Sequence, residues 1–128
     1  MERLASSDAP GEAPARRENL LVVCLCAAWC DTCAEFRATF DTLARQHEGA
    51  VFIWLDVEDD SALVGDIEIE NFPTLAVFRG GEPLFYGVTM PQEGVVARTL
   101  ASLARPDRDP VEVPGEIAKL PEALGARL

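Results

Sequence analysis

The chain has 128 residues, of which 48% are apolar and 26% charged, a balance that suits one globular domain and excludes a disordered chain. Acids outnumber bases 22 to 11, and Lys119 is the only lysine, so a nucleic-acid partner, which needs clustered Lys and Arg, is not expected. Nothing approaches the roughly 18 unbroken apolar residues of a membrane span, so no membrane partner is expected either.

The opening stretch MERLASSDAPGEAPARRENL is broken by Ala, Pro and Gly and carries acids. It lacks the basic start and apolar centre of a secretory signal, so the expectation is a cytoplasmic protein whose residues 1–18 form a flexible segment. Leu20 to Ala27 (LLVVCLCA) is a continuous apolar run rich in strand formers, as a strand buried on both faces requires. From Asp31 to about His47 the apolar residues Phe36, Phe40, Leu43 and Ala44 recur at helical spacing, and Gly49 follows as a stop. His47 at the end of this helix reads as a solvent-facing residue.

Ala50 to Val57 (AVFIWLDV) predicts a second buried strand, and Asp59 to Ile67 a short helix. TLAVFR, Gly80-Gly81 and EPLFYG together predict a hairpin. Thr89 to Gln92 has the form of a capping box with Pro91 in the first turn, and Val96, Leu100 and Leu103 give the next helix its apolar stripe. Residues 105–128 contain Pro106, Pro110, Pro114 and Pro121, which forbid a long helix. They read as a loosely ordered tail, with room for a turn or two of amphipathic helix in EIAKLPEALGARL.

The order is therefore β-α-β, a short α, then β-β-α: an α/β domain over 19–104 with a central mixed sheet flanked by helices. Seven acids (Asp56, Glu58, Asp59, Asp60, Asp66, Glu68, Glu70) lie between 56 and 70 with no base among them. They read first as a solvated face. In connections reaching the end of the sheet that carries Cys30, they would also form a rim favouring basic substrates.

All four cysteines, Cys24, Cys26, Cys30 and Cys33, fall within ten residues, which points to chemistry at one spot rather than a disulfide framework. Cys30-Asp31-Thr32-Cys33 stands where the first strand ends and the first helix begins. Cys30 at the opening turn is exposed, and Cys33 three residues on is within disulfide reach of it. One thiol attacks a substrate disulfide and the other resolves the mixed disulfide. Unpaired N–H groups at the helix start favour a thiolate by roughly 0.3–1 kcal/mol. The Asp31 carboxylate opposes this by about 0.9 kcal/mol, so a reductant is expected rather than a strong oxidant.

In WCDTC, the strand before it, and FPT at Phe72 to Thr74, the chain resembles the thioredoxin family over about Leu20 to Ala104. The resemblance implies a thioredoxin-like fold trimmed of its usual first strand and helix, since only 19 residues precede the first predicted strand. It also implies that Pro73 is a cis-proline facing Cys30 and Cys33. Phe72, Pro73 and Thr74, with Trp29, Asp31 and Thr32, would border a substrate groove. The activity implied is thiol–disulfide oxidoreduction of protein disulfides in cell redox homeostasis, with electrons from a reductase or a low-molecular-weight thiol. The dithiol reading requires no cofactor and assigns no metal.

Several positions depart from the family's pattern. Ala38 stands where a helix-kinking proline is usual, and Cys24 and Trp54 replace the usual buried aspartate and the lysine across the sheet. Cys26 replaces an aromatic. Cys24 and Cys26 leave the same face of the strand, so three or four sulfurs come together if that face meets the helix of Cys33. They read as small buried hydrophobes, or as auxiliary thiols, or as part of a four-thiolate Zn or Fe-S site. Two alternatives therefore stand beside the oxidoreductase: a thioredoxin-fold binding or assembly module with relaxed catalysis, and a metal protein.

Overall fold

The computed structural model describes residues 20–64, 67, 69 and 71–125. The segment 1–18 and the acids Asp66, Glu68 and Glu70 lie outside the described residues. Strand β1 (Leu20–Cys26) is buried along its whole length, and the reason is its place in the sheet, whose order is β2-β1-β3-β4. It pairs in parallel with β2 (Val51–Asp56) through the crossover helix α1 (Asp31–Gln46), and antiparallel with β3 (Thr74–Arg79). The strand β4 (Glu82–Val88) closes the far edge as the second arm of a hairpin. Gly80 and Gly81 both have positive φ, +59° and +87°, as a two-residue turn matched to strand twist requires.

Alternate residues of β1 feed two separate cores. Leu20, Val22, Cys24 and Cys26 pack with Cys33, Phe36, Phe40 and Leu43 of α1 and with Val96, Leu100 and Leu103 of α3 (Glu93–Leu103). Leu21, Val23 and Leu25 face the other way, against Leu55, Ala76 and Phe78. That second face is covered by Val64 of α2 (Ser61–Val64) and by α4 (Gly115–Ala118) and α5 (Leu120–Ala123). The described elements thus make a mixed four-stranded sheet between helices, and the sheet explains why β1 is apolar without alternation.

Four expectations are corrected. The described part of the C-terminal segment, 105–125, is not a loose tail: the turn or two of helix expected there forms as α4 and α5, and Ile117, Leu120 and Leu124 are essentially fully buried under the sheet. Proline forbids a long helix but not two single turns, and Val111 N–H donates to Pro83 O at 2.8 Å to anchor the approach. The strand β2 is only half-buried, with Leu55 alone fully so, since among the described residues it is an edge.

His47 is buried, not solvent-facing. Its Nδ1 donates to Leu43 O at 2.8 Å and its ring packs 6.0 Å from that of Phe52, which turns it back over the sheet edge. The capping box does not form: α3 begins only at Glu93, and no side chain caps it at Gln92. Thr89 is engaged elsewhere, its N–H donating to Pro73 O at 3.0 Å and its hydroxyl to Met90 O at 3.2 Å. No helix among the described residues is long and apolar enough to cross a membrane.

Candidate thiol site

Three segments converge at the C-terminal end of β1: the loop 27–30, the first turn of α1, and the loop before β3. The register brings them together, since Leu25 lies opposite Thr74 and one further step sets Pro73 beside Cys26. The Phe72–Pro73 peptide bond is cis. The loop is braced from both sides, by the Thr74 hydroxyl donating to Asn71 O at 2.7 Å and by Thr89 N–H donating to Pro73 O. Pro73 and Thr74 are buried, and Phe72 is half-buried.

Trp29 projects into solvent at 66% exposure, with its indole edge-on to Phe72. Asp31 is exposed and Thr32 half-buried, so the residues between the two cysteines line the outer surface. Cys30 is the N-cap of α1, extended in backbone and half-exposed, and its carbonyl accepts from Ala34 N–H at 3.1 Å. Its thiol caps nothing, so it is free to react.

Cys33 takes a different direction. It is the first residue of the buried stripe Cys33, Phe36, Phe40, Leu43, and that phase aims it at the sheet, where it is disulfide-bonded to Cys26. The two Cα atoms are 5.8 Å apart, within the ordinary range for the bond. The structure therefore gathers the sulfurs on one face of β1, but joins Cys33 to Cys26 and leaves Cys30 as a thiol. The signal for this pairing was present in the sequence: Cys33 is in phase with the core stripe, and Cys26 is on the face that stripe covers.

Cys24 is fully buried, with its Sγ 3.7 Å from Cys26 Sγ. Burial pushes its thiol far above the ordinary thiol value, offset in part by the positive charge of Arg37. Opposite Cys24 in the parallel register stands Trp54, whose ring lies 4.8 Å from the Arg37 guanidinium and packs against Phe36 and Phe40. The Trp54 ring thus faces Cys24, with the exposed Arg37 guanidinium over its outer side, and no carboxylate is buried beside them among the described residues. Among the described residues no group of three or more His, Cys, Asp or Glu is arranged to hold a metal ion, and two of the four sulfurs are bonded to each other.

Of the acids, Asp56 has a defined local task. Its Oδ1 accepts from Glu58 N–H at 2.8 Å and Asp59 N–H at 3.0 Å, while Asp60 Oδ2 accepts from Asp56 N–H at 2.9 Å. The backbone N–H groups of Asp59, Glu58 and Ala28 hold its carboxyl below the usual range. The last of these belongs to the loop that carries Trp29, so Asp56 ties the end of β2 to the site.

A helix opening on a half-exposed cysteine, a second cysteine behind it that closes a disulfide, and a braced proline loop alongside define a thiol site on an α/β scaffold. The family model for thioredoxin matches residues 12–102 of this chain. The chain belongs to the thioredoxin family. It is 37% identical over 65 residues to Thioredoxin domain-containing protein 2 of Mus musculus, covering 51% of this chain but only 13% of that one. Thioredoxin of Echinococcus granulosus is 29% identical over 84 residues, covering 66% and 78%. Among solved structures, the germline-specific thioredoxin Deadhead of Drosophila melanogaster superposes with a TM-score of 0.59 at 27% identity, covering 70% of this chain and 85% of that one.

Proposed function

We propose that the chain reduces or exchanges protein disulfides through Cys30 and Cys33. The Cys30 thiolate attacks one sulfur of a substrate disulfide, forming a mixed disulfide and releasing the other sulfur as a thiolate that takes up a proton. Cys33 then attacks Cys30 Sγ, expels the second substrate thiol and leaves an internal disulfide, so the substrate gains two electrons and two protons. The observation that carries this reading is the division of labour at the helix start. Cys30 is a half-exposed free thiol that caps nothing, and Cys33, three residues on, is a buried disulfide-forming cysteine, bonded in this structure to Cys26.

Trp29, Asp31, Thr32, Phe72, Pro73 and Thr74 border the groove in which an extended substrate segment lies. We further assign the protein to the cytoplasm and to redox homeostasis, fed by a reductase or a low-molecular-weight thiol. Net charge favours basic substrates, a preference that added salt weakens. Insulin reduction tests the reading: wild type supports turnover, and Cys30→Ser abolishes it while remaining folded by circular dichroism. Equal rates for the two proteins would overturn it.

A further inference from the structure

Cys33 has one observed partner, and i, i+3 spacing on a helix puts a second beside it. Cys30 is three residues earlier at the mouth of α1, and Cys26 is the residue to which Cys33 is bonded. We propose that Cys26 is a third redox thiol, which draws the disulfide from the surface pair into the core. This inference rests on the reading of Cys30 and Cys33 as the working dithiol.

After a substrate disulfide has oxidised that dithiol, the Cys26 thiolate attacks Cys33 Sγ. The Cys26–Cys33 bond forms, the Cys30–Cys33 bond breaks, and Cys30 departs as the leaving thiolate. One disulfide is consumed and one made, the proton lost by Cys26 is regained at Cys30, and no further oxidant is needed.

Three features of the structure support the exchange. Cys26 and Cys33 are 1% and 2% exposed, so their disulfide is shielded from external thiols once formed. Cys30 is half-exposed and free in the same molecule, so the sulfurs stand in the pairing that the exchange would leave. Cys24, kept protonated by burial, has its sulfur 3.7 Å from that of Cys26, close enough for its S–H to donate to a developing thiolate there. Cys24 is thus a positioning residue for the attack, standing where the family buries a carboxylate.

The consequence is an oxidised protein that still carries a reactive surface thiol. When Cys30 meets a second disulfide, such as a low-molecular-weight one, it forms a mixed disulfide that Cys33 is no longer free to resolve. The adduct persists until an external thiol removes it.

The test oxidises fully reduced wild type with one equivalent of diamide, treats the native protein with iodoacetamide, and maps the bonds by tandem mass spectrometry. The expected result is one label per molecule, on Cys30, with Cys26 linked to Cys33. Oxidised Cys26→Ala should take no label, because Cys30 and Cys33 then remain joined. Wild type that takes no label and shows a Cys30–Cys33 bond overturns the inference and leaves the dithiol reading intact. If Cys26→Ala still exposes a labelled Cys30, Cys30 and Cys33 do not pair, and both proposals fail. The mapping on wild type decides the point even if Cys26→Ala does not fold.

Discussion

The indole of Trp29 meets the ring of Phe72 edge to face, with centroids 5.6 Å apart and planes at 82°, joining the loop before α1 to the loop before β3. Since Trp29 is 66% exposed, its outer surface remains available to a visiting chain. An aromatic pair of this geometry contributes about 0.5–1.5 kcal/mol. Trp29→Ala is therefore expected to raise KM for a protein disulfide by roughly two- to tenfold while lowering fold stability by about 0.5–1.5 kcal/mol. Steady-state insulin reduction and urea unfolding check the two halves separately, and an unchanged KM would remove Trp29 from the groove.

Asp56 accepts backbone N–H groups with a carboxyl held below its ordinary range. The unfolded chain therefore binds that proton more readily than the native one. The stability this supplies is complete above the unfolded value of about 3.9 and is lost as pH falls through the lower native value. Because Asp56 is partly exposed, Asp56→Ala should cost only about 0.5–1 kcal/mol at pH 7. The gap between wild type and variant should narrow toward pH 3 in urea titrations; a gap that is constant with pH would show that the carboxylate charge plays no part.

What the sequence disclosed and what it hid divide along one physical line. Local rules worked: an apolar run without alternation marked β1 as central, and paired glycines marked the hairpin. The partner of Cys33 was only half-legible: its phase with the core stripe pointed to the face of Cys26, but i, i+3 proximity to Cys30 is local, and the actual contact depends on how the loop 27–30 lays α1 across the sheet. His47 and the C-terminal segment were misread for a similar reason. Their polar or proline-rich character describes the chain before packing, and the decision was made by Phe52 and by the apolar sheet face of Val23 and Phe78, which α2 covers only in part. The stripe Ile117, Leu120, Leu124, in the stretch already given a turn or two of amphipathic helix, was the signal that these turns pack on the sheet.

Cys24 makes stability depend on alkaline pH. Its thiol is pushed far above the ordinary value of 9.0 by burial, so above about pH 9 the unfolded chain releases a proton that the native state retains. The stability from this group is whole below that point and falls by up to about 1.4 kcal/mol per pH unit above it. Cys24→Ala should flatten the decline between pH 9 and 11 in thermal melts of the oxidised protein. Parallel curves for variant and wild type would contradict the assignment.

The segment beyond Pro114 is predicted to be a structural part of the domain. Ile117, Leu120 and Leu124 pack with Leu21, Val23, Leu25, Ala76 and Phe78, so removing residues 115–128 returns much of that side of the sheet to water. Exposed apolar surface of that extent favours association. The truncated chain should unfold at lower denaturant and aggregate on heating, whereas Leu124→Ala alone should cost about 2–5 kcal/mol, as large-to-small changes at buried leucines do. Because α4 and α5 lie across the sheet from Cys33 and α1, Leu124→Ala should leave the rate of insulin reduction by the folded fraction unchanged. A truncated chain with wild-type stability would mean that these helices do not hold the lower core closed.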